Sequence, residues 1–78
     1  MTPKLIRVMW QDHCSISEWL SMSDAITVLK PILAETVGWL IHDTDEYIIV
    51  AGEKCDLDSS VSNMTVIIKS CIVGMKEL

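Results

Sequence analysis

Residues 36–50 read TVGWLIHDTDEYIIV, two apolar runs joined by an acidic turn. Runs rich in Val, Ile, Tyr and Trp that flank a short polar break predict a β-hairpin. The turn Asp43-Thr44-Asp45-Glu46 suits that geometry because Asp tolerates turn conformations. Within the first arm Gly38 stands out, since a glycine inside a strand marks sharp bending or a close backbone approach. Strands of small closed barrels need such points. The second arm, Tyr47 to Ala51, is apolar on both faces and therefore predicts cover on both, by a helix or by another chain.

Working outward, Lys4 to Trp10 (KLIRVMW) alternates as a strand, with Ile6, Val8 and Trp10 on one side. Gln11 to Ser17 is mostly polar and leaves the sheet. Met22, Ala25, Ile26 and Leu29 then fall at helical spacing. Ser21 with Asp24 forms a capping pair, and Pro31 forces a stop, which predicts a short helix at about 22–30. Ile32 to Thr36 bridges into the hairpin. Beyond it, Gly52 to Asn63 reads as a flexible polar loop, and Met64–Lys69 and Ile72–Met75 as the last strands. Ser70 and Cys71 leave room only for a tight 3₁₀-like corner between them.

This order predicts a mainly β single domain, residues 1–78, with one short helix: a small five-stranded SH3-like barrel. An OB-fold would place its helix later, and a ferredoxin-like fold would need a second one. Leu40, Ile48, Val50, Val66 and Ile68 are the expected core. Ile41, Ile49 and Ile67 then form a surplus apolar face suited to self-association. With no Phe and one Tyr, the three tryptophans carry the aromatic bulk, and at least two are expected to be buried. Trp19 is expected as a lid over one barrel end, the competing reading being an exposed anchor beside the acidic turn.

The net charge is −5, and seven of the eleven acids lie between Glu35 and Asp58 with Lys54 as the single base among them. Such a field repels phosphate backbones, so nucleic acid is not the expected partner. No apolar run is long enough to span a bilayer. The first ten residues lack the pattern of a signal peptide, and three cysteines without CxxC spacing fit a reducing compartment, so the expected location is cytoplasmic.

Two resemblances are carried by particular residues. VMWQDHC, Trp19, TVGWLIHDTDEYIIVA and VIIKSCIVGMKEL together resemble a family of small phage and prophage proteins. That likeness implies a genomic setting and no activity. The chain departs from the pattern where a Pro often precedes the basic residue of the closing segment; here Ile68 precedes Lys69. A looser similarity is to Sm-like RNA-binding barrels, through Gly38, Leu40, Asp43 and the run Ile68 to Ile72. It implies that Lys69 sits where those proteins hold RNA, and hence an alternative function in binding single-stranded nucleic acid.

Catalytic chemistry finds little support. Asp12-His13-Cys14 mixes an acid, an imidazole and a thiol, but neighbours on an extended segment point apart. A thiol enzyme would need Cys14 with His42, or His13 with Cys55 or Cys71, brought together by the fold. No Cys or His pairing has zinc spacing, and neither Asp43–Glu46 nor Asp56–Asp58 carries the Gly and distal Glu of a calcium loop. The glycines are too scattered for a phosphate loop. No enzyme, cofactor, metal or membrane partner is therefore expected. The expected role is a protein-interaction module that binds another protein, or a second copy of itself, through Trp19, Asp43, Asp45, Glu46 and Lys69.

Overall fold

The alternation in the first strand and the hairpin places five antiparallel strands in one sheet. The computed structural model describes residues 3–13 and 15–78. In chain order they form β1 (Lys4–Asp12), α1 (Met22–Val28), β2 (Ile32–Asp43), β3 (Tyr47–Lys54), β4 (Val61–Ile68), a 3₁₀ turn (Lys69–Cys71) and β5 (Ile72–Glu77). The strand order is β4-β3-β2-β1-β5.

That order forces the sheet to coil. Four strand-to-strand steps would hold the edges of a flat sheet roughly 19 Å apart. The edge strands β4 and β5 are nevertheless joined by three 3₁₀ residues, which advance only about 6 Å. Register shifts at Leu40/His42 and Met9/Trp10 supply local curvature. Gly38 supplies the tightest point: a Cβ there would lie 2.4 Å from the Ala51 carbonyl oxygen and 2.7 Å from Val50 Cγ1. Gly38 is thus required for a close backbone approach. The result is a mainly β fold with one short helix. The sheet is coiled and open, since no ladder joins β4 to β5 among the described residues.

The core lies on the concave face. Ile6 and Val8 from β1, Ile48 and Val50 from β3, and Ile67 from β4 are buried together, with Trp10, Leu40 and Ile72 packed against them. Full burial of such side chains contributes about 1.5–3 kcal/mol each. Trp10 also donates from Nε1 to Thr36 Oγ1 across the β1–β2 ladder at 2.9 Å.

Several expectations need correction. Val66 and Ile68 are exposed, whereas Ile67 is core. Ile67 pairs directly with Ile48, so the two share a face. The run Val66-Ile67-Ile68 is apolar throughout, and only the register selects its inward residue. β2 is longer than the hairpin arm, because Ile32 to Thr36 pairs with Asp12 to Val8 rather than bridging. Half of the supposed loop 52–63 is strand, at 52–54 and 61–63, leaving a short connection at 55–60 closed by Cys55 N–H donating to the Ser60 carbonyl at 2.8 Å. Asn63 lies inside β4 with a φ of 53°, a conformation Asn adopts more readily than most residues. The 3₁₀ corner falls where the short spacing placed it.

The helix is shorter than expected and lies largely exposed. Ser21 Oγ accepts from the Asp24 N–H at 3.1 Å, as the capping pair requires. Yet α1 buries none of its residues, and Met22 and Ile26 are 87% and 79% exposed. No tryptophan is fully buried: Trp10 and Trp39 are half-buried and Trp19 is 100% exposed. The expected lid is therefore overturned. A helical stripe reports a face that wants cover and not what covers it. The radius of gyration is 16.1 Å with a long axis of 53 Å. A compact chain of this length has about 11–12 Å. Residues 15–31 form an arm that stands off the sheet.

Candidate functional site

Two features present chemistry to the outside: the β2–β3 turn and the arm. The turn is organised by Thr44, which the acid-centred reading of the sequence missed. Its Oγ1 accepts from Glu46 N–H at 3.2 Å and Tyr47 N–H at 3.0 Å. Its backbone N–H donates to the Tyr47 carbonyl at 2.9 Å. A hydroxyl between two acids is the signal that could have revealed it, because Ser and Thr form such local turns.

The structure brings three of the proposed site residues together. Lys69 Nζ lies 2.6 Å from Asp43 Oδ1. The Lys69 N–H donates to the Glu46 carbonyl at 2.8 Å, extending the β3–β4 ladder into the 3₁₀ turn. Asp43 is neutralised by this lysine, while the Asp45 and Glu46 side chains are exposed. The acidic tip is smaller than its sequence implies. Trp19 does not join it: a fully exposed indole touches neither the turn nor the end of the sheet.

Lys4 pairs with Glu77, Arg7 with Glu35, Lys54 with Asp56 and Lys69 with Asp43. Four of the six bases thus face carboxylates that a nucleic acid would have to displace. Lys54 also sits 5.5 Å from the Trp39 ring centroid, a cation–π contact. Its ammonium hydrogen-bonds Asp56 at 2.7 Å and holds that carboxyl below the usual carboxylate range. Asp58 is lowered as well, first by the Ser60 hydroxyl at 2.6 Å and then by the Ser60 N–H.

Of the thiols, Cys55 is exposed and Cys71 half-buried, and Cys14 lies outside the described residues. The readings that placed Cys14 with His42 fall there too. His13 and Cys71 line one open cavity of about 350 Å³ with Asp12, Leu29 and Lys30, where the 3₁₀ corner meets the root of the arm. A second open cavity, about 690 Å³, lies beside Leu40, Ile41, Lys54 and Val61. Among the described residues no three His, Cys, Asp or Glu side chains converge as a metal site. No helix in the described residues is long and apolar enough to cross a membrane.

Comparison with family models, curated proteins and solved structures finds no match to this chain. Its class is therefore set by geometry: a coiled five-stranded antiparallel sheet that carries an exposed, apolar, partly helical arm.

Proposed function

We propose that the chain is a small non-enzymatic protein-interaction module of the cytoplasm, of phage or prophage type, with its strands rolled toward an SH3-like barrel. The strand order and the 3₁₀ link between the edge strands support the rolled arrangement. One observation carries the functional reading: Trp19 is wholly exposed on an arm whose neighbours Leu20, Met22 and Ile26 are exposed as well. An exposed aromatic ring on a segment of exposed apolar side chains is the composition of a binding hot spot. At the turn, by contrast, Asp43 and Lys69 satisfy each other.

The test is binding that depends on Trp19. Immobilised parent protein and Trp19→Ser are presented with host lysate and with the protein itself. Retention that Trp19→Ser loses at least tenfold is the expected result, since truncating a hot spot costs about 2 kcal/mol or more. Equal retention by both proteins removes the reading.

A further inference from the structure

The arm is too apolar and too short a helix to stand in water alone. Seven residues of α1, none buried, fall below the roughly 12–15 that an isolated helix needs. Ile16, Trp19, Leu20, Met22, Ile26 and Val28 are all exposed along it. Together they present on the order of 800 Å², which is one partner's share of a standard interface.

The same chain carries an unoccupied apolar row. On β4, Met64, Val66 and Ile68 are exposed, Val66 at 61%. They lie on the face opposite the core, because their β3 partners Ala51, Ile49 and Tyr47 alternate with the buried Ile48 and Val50. Charge allows two copies to meet here. The acids concentrate between Glu35 and Asp58, whereas the arm holds only Glu18, Asp24 and Lys30. Arm and row would therefore join without setting one acidic field against another.

Resting on the interaction-module reading, we infer that the partner is a second copy. The two chains form a two-fold dimer by exchanging arms, each arm laying Trp19, Met22 and Ile26 on the Met64-Val66-Ile68 row of the other. Both unpartnered surfaces are covered in one symmetric step, the self-complementary arrangement a two-fold axis demands.

Sedimentation at about 100 µM, within the affinity range of interfaces this size, tests it. The probes are the parent, Trp19→Ser, Val66→Lys and an equimolar mixture of the two variants. Both substitutions fall on exposed positions, and far-ultraviolet circular dichroism verifies that the sheet persists. The parent is expected at twice the chain mass and each variant at half the parent's value. The mixture is expected to regain part of the dimer, because it restores one intact arm facing one intact row. A monomeric parent overturns the inference, and so does a dimer that survives either substitution. A mixture with no recovery also overturns it, since exchanged arms leave the mixed dimer one intact contact that neither variant has alone. If the parent is monomeric yet retains another protein through Trp19, the dimer falls while the interaction-module reading stands.

Discussion

Replacing Gly38 by alanine is the sharpest test of how the sheet is coiled. The added Cβ would meet the Ala51 carbonyl oxygen at 2.4 Å and Val50 Cγ1 at 2.7 Å. Ordinary carbon–oxygen contacts lie near 3.3–3.6 Å and carbon–carbon contacts near 3.5–4.0 Å, so each shortfall is about 1 Å. One of those atoms is backbone, held in the β2–β3 ladder by the Trp39–Ala51 and Leu40–Val50 pairs. It yields only if β3 moves away and Val50 leaves its place in the core. Overpacking of this kind costs about 1–3 kcal/mol, and a backbone obstacle puts Gly38→Ala at the upper end. Alanine returns about 0.5–1 kcal/mol of strand preference over glycine, which leaves a net loss of roughly 2 kcal/mol. In a domain of this size that lowers Tm by about 8–16 °C.

Two other glycines calibrate the argument. At Gly74 the nearest atom is Met9 Cε, 3.2 Å away at the free end of a flexible side chain, so Gly74→Ala should be neutral or slightly stabilising. At Gly52 the neighbour is Asn63 Cβ at 3.3 Å, which must give by a few tenths of an ångström. Gly52→Ala should fall between the two. Urea unfolding at one fixed protein concentration, followed by circular dichroism, ranks the three variants. The steric reasoning fails if Gly38→Ala stays within about 0.5 kcal/mol of the parent or costs less than Gly74→Ala.

Two further predictions concern the turns. Thr44→Val removes the hydroxyl that organises the β2–β3 turn and should cost about 1–2 kcal/mol, with Thr44→Ser retaining most of the stability, as denaturant midpoints will show. The connection at 55–60 should make the fold acid-sensitive. The folded-state carboxyls of Asp56 and Asp58 are depressed, so their contribution is complete above the ordinary carboxylate value and is lost as pH falls through the folded one. Thermal unfolding from about pH 5 to about pH 3 should therefore drop less steeply in Asp56→Asn/Asp58→Asn than in the parent. Equal slopes would show that other carboxylates dominate.

Much of the backbone plan was legible residue by residue. Alternation in Lys4 to Trp10 placed Ile6, Val8 and Trp10 on the core face, and Ser21 with Asp24 marked the helix start. The short gap at Ser70 and Cys71 required the 3₁₀ corner, and Gly38 marked the close approach. These signals are local: they depend on side-chain period, capping chemistry and the reach of two or three residues.

What the sequence alone could not determine was every choice between two equally apolar alternatives. Val66-Ile67-Ile68 has no polar member, so only pairing with Ile48 turned Ile67 inward and left Val66 and Ile68 outside. Polar content hid the strand character of 52–54 and 61–63, because β3–β4 ladder pairing overrides weak propensity at a sheet edge. Lys69 found Asp43 only once β4 was laid beside the hairpin. The helical stripe and Trp19 are the clearest case. Periodicity established that one face of 22–29 is apolar, but burial depends on where the arm leaves the sheet. Tertiary structure carries it away from its own core and leaves that apolar face exposed.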